Sequence, residues 1–128
     1  MRFILGVLHH WFAHSIHKFW VAWYLNKLAF KLIWRSIVHD LSKYGWTETK
    51  HFARTIHKLN NTTYGTDEYF ALIASVQPAL DHHYAKNQHH PEYWPDGISD
   101  MGAIDEIEMV CDWCAACKKH KDGNPVHS

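Results

Sequence analysis

Ile37-Val38-His39-Asp40-Leu41-Ser42-Lys43 closes an apolar helical run. A histidine and an aspartate stand side by side where the run ends, and a lysine follows three residues after the aspartate. On a regular helix, neighbouring side chains point about 100° apart and would not meet. At a helix end the backbone can turn, and both can then reach one metal ion. This reading makes His39 and Asp40 the centre of a metal site, with other helices completing it.

Helical periodicity dominates the chain on either side. Phe3 to Leu25 reads as one amphipathic helix, and Lys27 to Val38 as a second or as its continuation. Thr47 can cap a third helix that runs to about Leu59. Asn60-Asn61-Thr62-Thr63-Tyr64-Gly65 is a loop. Asp67 to about His89 reads as a fourth helix, kinked or restarted at Pro78, which removes a backbone donor. Pro91, Pro95 and Gly97 mark another loop. Ser99 or Asp100 caps a last helix from Met101 to about Lys119. Alternating β-branched runs are missing. The expected fold is all-α, a compact bundle of about five helices spanning residues 1–121, with 122–128 as a flexible tail.

With 128 residues, 47% hydrophobic and 15% aromatic, the chain is one folded domain's worth of sequence. Thirteen basic residues balance thirteen acidic ones, which argues against nucleic-acid binding through bulk positive charge. The apolar start, Met1 to Leu8, is short and lacks a small-residue cleavage site, so it does not read as a signal peptide. No run of about 18 apolar residues is free of charge and histidine, so no membrane span is expected. The tryptophans at helical spacing read as core. Seven of them are many for so small an interior, and a homodimer interface is their other outlet. Cys111, Cys114 and Cys117 are an odd set on one helix, so they are no disulfide framework. They read as small buried residues in a reducing, cytoplasmic setting.

The thirteen histidines are the compositional anomaly, and histidine is the commonest metal ligand. His10, His14 and His17 fall within about 60° of one another on the first helix. At least one is expected to ligate, with His17 chosen because it lies nearest the His-Asp pair, and His10 or His14 as alternatives. On the fourth helix, His83, Asn87 and His90 share one face, and His82, Lys86 and His89 the adjacent one. Residues seven apart on a helix lie about 10.5 Å apart along the axis. One ion therefore cannot take both His83 and His90 unless the helix ends early, and Pro91 favours such an end. Two ions would also answer the spacing. On the last helix, Asp105, Glu108 and Asp112 share a face. Asp112 sits among Met109, Val110 and Trp113 and can point inward, with Glu108 one turn earlier as an acceptor for a ligand's second ring nitrogen.

Together these residues resemble the HD superfamily of metal-dependent phosphohydrolases. That pattern has an early His, a His-Asp pair, two further His and a late Asp, here His17, His39-Asp40, His83 with His89 or His90, and Asp112. Leu41-Ser42-Lys43 completes a His-Asp-x-x-Lys form. The chain is also similar to DUF5662, a family of small uncharacterised bacterial and phage proteins. The shared pieces are His-Asp-Leu-Ser-Lys with Glu48 soon after, His83 to His90 with Tyr93 and Trp94, and Glu108 to Trp113. They span most of residues 10–117.

The resemblance implies an HD-like fold and a hydrolase with one or two divalent ions. Imidazole and carboxylate ligands suit Mn, Fe, Co, Ni or Zn. Such ions make hydroxide near neutral pH and hold the oxygens of phosphoryl transfer. His17, His39, Asp40, His83, His89, His90 and Asp112 are the expected ligands. Asp40, Lys43 and Glu48 are the expected catalytic residues, and Lys43, Asn87 and Trp94 the substrate contacts. The expected substrate is a nucleotide or another small phosphate ester. Two alternatives keep the metal: an HD-like di-iron oxygenase, and a non-catalytic, metal-stabilised interaction protein such as a phage would encode.

Overall fold

A computed structural model describes residues 1–118, so the expected helix end at Lys119 and the expected tail at 122–128 lie outside the described residues. All regular structure among the described residues is helical, with five α-helices, three short 3-10 turns and no strand. The chain divides into two units, Met1–Ile37 and the part that begins at Val38.

The first unit is formed by a single helix, α1 (Arg2–Val38), whose last residue opens the second unit. Its sequence holds no proline and only one glycine, Gly6, so nothing in it stops propagation. The two helices expected here are one. Asn26, at the expected junction, turns its amide back onto the Ala22 carbonyl at 2.7 Å, and Ser15 and Ser36 likewise bond to Trp11 and Ile33 carbonyls. Polar side chains satisfied in this way sit inside a helix without ending it. No residue of α1 is buried, and Trp11, Trp20, Trp23 and Trp34 are all at least half exposed. The expectation of a tryptophan core therefore fails. No helix among the described residues is long and apolar enough to cross a membrane.

In the second unit, a 3-10 turn (Leu41–Tyr44) leads through Gly45 into α2 (Trp46–Leu59). The cap is Gly45 rather than Thr47. A Cβ at Gly45 would stand 3.0 Å from the Ser42 carbonyl oxygen, so any larger residue would crowd this turn. α3 (Asp67–Ser75) starts at Thr66, whose hydroxyl accepts from the Tyr69 N–H. α4 (Gln77–Tyr84) restarts after Val76 with Pro78 in its first turn, where a missing N–H does no harm. It ends at Tyr84, five residues before the expected His89. After turns at Pro91–Tyr93 and Gly97–Asp100, α5 (Ala103–Cys117) begins from Gly102. The second of these turns absorbs Ser99 and Asp100, which do not cap the helix. Cys111 and Cys114 are exposed and Cys117 is half-buried; none forms a disulfide, so the three are not core residues as expected.

The interior of the second unit is unusual in kind. Its buried apolar residues are Val76, Ala79, Met101 and Met109, and its buried ionisable ones are Glu48, His83, His89 and Glu108. Ionisable groups are rarely enclosed unless they are paired or hold a metal. α2 packs on α4 and on the 41–44 turn, which brings Glu48 against the histidines of α4.

Candidate metal centre

The centre starts from one backbone angle. Asp40 has φ 57°, and it is the only non-glycine residue with positive φ among the described residues. Aspartate visits this left-handed region more readily than most residues. The reversal stops α1 at Val38 and lets two adjacent side chains converge: His39 Nε2 lies 3.4 Å from Asp40 Oδ2.

α4 and the segment after it bring the other histidines. Because α4 stops at Tyr84, His90 is not two turns up the axis from His83, and their Nε2 atoms meet at 2.9 Å. Asp40 Oδ1 lies 3.2 Å from His83 Nε2 and 3.4 Å from His89 Nε2. Ligand-capable atoms of Asp40, His83, His89 and His90 all lie within 4.8 Å of one another. Two further groups overlap this one, His39 with Asp40 and Asp112, and His39 with His89 and Glu108. In the first of these, Asp112 Oδ1 is 3.5 Å from His39 Nε2.

Buried carboxylates choose the ring tautomers. Glu48, fully enclosed, accepts from His83 Nδ1 at 3.0 Å and from His82 Nδ1 at 2.8 Å. Glu108 Oε1 lies 2.8 Å from His39 Nδ1 and 3.3 Å from His89 Nδ1. A carboxylate only accepts, so each Nδ1 carries the hydrogen and each Nε2 presents a lone pair. A carboxylate behind the imidazole is the usual support of a metal-ligating histidine. Burial, together with the nearby His89 and His83, lowers the His90 pKa to about 4 against the pull of Asp112 and Asp40, so this ring is neutral at pH 7. Burial pushes the Asp40 carboxyl up, and the Lys43 ammonium beside it pulls it down.

These residues fit a divalent transition ion. Atoms about 2.1 Å from a common centre stand about 3.0 Å apart at octahedral angles and about 3.4 Å apart at tetrahedral ones. The edges of 2.9, 3.2 and 3.4 Å among His83, His90, His89 and Asp40 lie in or next to that range. Asp40 Oδ1 and His89 Nε2 are buried and make no hydrogen bond, a condition that is costly for polar atoms unless a cation joins them.

The expected residues thus take different places. His39, Asp40, His83, His89, His90 and Asp112 come together. His17 lies on α1 with His10 and His14, and none of the three belongs to a converging group. Glu48, expected to be catalytic, is sealed from solvent and reaches His82 and His83, so its geometry gives it a positioning role. Asn87, expected on substrate, uses its amide nitrogen on Ser42 Oγ at 2.8 Å and the His83 carbonyl at 2.7 Å, tying the 41–44 turn to α4. Lys43 pairs with Asp40 and keeps nearly half its side chain exposed. The Trp94 indole donates to the Gln88 carbonyl at 2.8 Å. The parts played by His82 and Ser42 had no sequence signal, because they depend on how α2 and α4 pack.

A family model described as a family of unknown function (DUF5662) matches residues 8–127. No curated protein and no solved structure matches the chain.

Proposed function

The chain belongs to DUF5662, a family without an assigned activity, and from its own residues we propose that it is a metal-dependent phosphohydrolase of HD type. Its substrate on this reading is a nucleotide or another small phosphate ester. The observation that carries the proposal is the meeting of three imidazoles and Asp40, with Glu48 and Glu108 behind the rings.

Asp40, His83, His89 and His90 would hold one divalent ion, and His39 and Asp112 would share Asp40 with a second. A bound ion of this kind lowers the pKa of water towards neutrality and stabilises charge on phosphoryl oxygens. Glu48 and Glu108 fix the ring tautomers. Lys43 stands at the exposed edge of the Asp40 carboxylate, where its ammonium can bind and orient a phosphate oxygen. Trp94, anchored on Gln88 and set edge-on against Tyr93 with ring centroids 5.1 Å apart, offers an aromatic surface to a base. That surface favours a nucleotide over a simple phosphate ester.

The test is a screen of nucleotides and phosphate esters with Mn, Co and Ni, run beside His39→Ala and Asp40→Ala. Hydrolysis that both substitutions abolish, with the fold intact, supports the proposal. Metal analysis of protein purified without added metal separates it from an oxygenase: stoichiometric iron with an O₂-dependent spectrum would replace the hydrolase reading. Unfolding on metal removal, with no ester cleaved, would leave a structural role for the ion.

A further inference from the structure

We propose that α1 pairs in parallel and in register with α1 of a second copy, along an apolar seam on the helix face opposite His10, His14 and His17. The seam follows a strict seven-residue repeat. Leu5, Phe12, Phe19 and Ile33 occupy one set of core positions, with Asn26 between the last two. Ile16, Trp23, Phe30 and Ile37 occupy the other, with His9 at its start. Apolar residues at alternate spacings of three and four form the seam of a two-stranded coiled coil. The eight apolar members are each between 45% and 70% exposed, and no residue of α1 is buried.

The occupant follows from three features. The first is area. Half-exposed side chains of the size of Leu, Ile, Phe and Trp present about 100 Å² each. The strip of eight therefore presents roughly 800 Å², which is the share one partner contributes to a standard stable interface. The second is the repeat itself. On a straight helix a seven-residue repeat drifts about 20° per heptad, and only winding around a partner of the same period keeps it facing inward. A membrane surface makes no such demand. The third is Asn26. A single asparagine in the seam sets register and chain number, because its amide finds the same amide across the axis. Parallel, in-register pairing places Asn26 opposite Asn26 of the second copy. Antiparallel pairing of the same seam would set it against Ile16.

Sedimentation equilibrium of the full chain tests this. A dimer at micromolar concentration is expected. Phe19→Glu with Phe30→Glu should yield monomer, while Val21→Glu, on the opposite face of α1, should leave the dimer intact. Leu5→Cys, with Cys111, Cys114 and Cys117 changed to Ser, should cross-link on oxidation. A wild-type monomer overturns the proposal, as does a dimer that Val21→Glu weakens as much as the seam variants do. A dimer in which Leu5→Cys fails to cross-link overturns the parallel register. A monomer that binds vesicles of phosphatidylcholine and phosphatidylglycerol through the same seam overturns it in favour of a lipid surface.

Discussion

His83 and His90 face each other through their Nε2 atoms at 2.9 Å. His83 has its Nδ1 hydrogen on Glu48, so its Nε2 offers a lone pair, and His90 is neutral. Beside them, Asp40 Oδ1 and His89 Nε2 are buried without a hydrogen bond. His83 Nε2, His89 Nε2 and Asp40 Oδ1 are three electron-rich atoms in one enclosed place, an arrangement that would suit a cation. Among the described residues the second unit buries few apolar side chains, so an ion here would act on folding as well as on chemistry.

The first prediction is that metal stabilises the fold. A ligand at a hundred times its Kd adds about 2.7 kcal/mol to the native state. For a domain of this size that is a rise in Tm of roughly 10 °C or more. Scanning calorimetry with Mn, Co, Ni or Zn, and again after chelation, measures it. His83→Ala and Asp40→Ala should each remove most of the rise. A Tm that ignores both metal and chelator would count against any metal at this centre.

Glu48→Gln tests the support behind His83. The amide nearly keeps the shape, but its oxygen and nitrogen cannot accept from His82 and His83 together, as the two carboxylate oxygens do. Metal affinity should fall about 10–100-fold, the usual effect of losing such a partner. Glu48→Ala would leave the His82 Nδ1–H without this acceptor and the His83 Nδ1–H with only the Ser42 hydroxyl at 3.1 Å, and should cost about 1–3 kcal/mol for each bond lost from a buried group. Titration calorimetry and thermal melts separate the two effects.

Much of this architecture is written locally in the chain. The His39-Asp40 pair, the inward turn of Asp112 and the approach of Glu108 to a ligand's far nitrogen follow from helix periodicity and from a helix end. The break before Pro78 follows from proline's missing donor. What escapes a linear reading depends on packing or on one backbone angle. The left-handed turn at Asp40 has no glycine to announce it. The early end of α4 at Tyr84 lacks a strong stop signal, although the need for His83 and His90 to meet pointed to some end of that kind. Glu48 reads as an ordinary first-turn acid until α2 is laid on α4. The single long α1 is a case of continuity, where Asn26 resembled a junction and bonds instead to its own helix.

Acid should weaken both the fold and metal binding. The His90 pKa lies at about 4, below its ordinary 6.5, chiefly through burial. Between these values the unfolded chain binds a proton that the folded chain refuses, so stability rises with pH across the window. The contribution is fully present above about 6.5 and is lost as pH falls towards 4. A proton on His90 also removes a ligand lone pair, so metal should leave in the same range. Melting curves from pH 7 to 4 should slope downwards with acid, and His90→Asn should flatten part of that slope. An unchanged slope in His90→Asn would place the proton elsewhere.

Asp40→Gly should separate stability from function. A non-glycine residue in the left-handed region costs about 1 kcal/mol, which glycine does not incur. The substitution also removes a half-buried carboxylate set against three histidines. Against this stands the loss of the Lys43 pair, which is worth little because nearly half of the Lys43 side chain meets solvent. Metal-free Asp40→Gly should therefore melt at or above the temperature of the metal-free wild type, while its metal-dependent rise in Tm disappears. Asp40→Ala, which keeps the left-handed strain and lacks the carboxylate, should melt below Asp40→Gly by about 1 kcal/mol in equilibrium unfolding. Equal stability of the glycine and alanine variants would mean that the backbone at position 40 relaxes once the carboxylate is gone. The left-handed turn would then be held by the centre it serves.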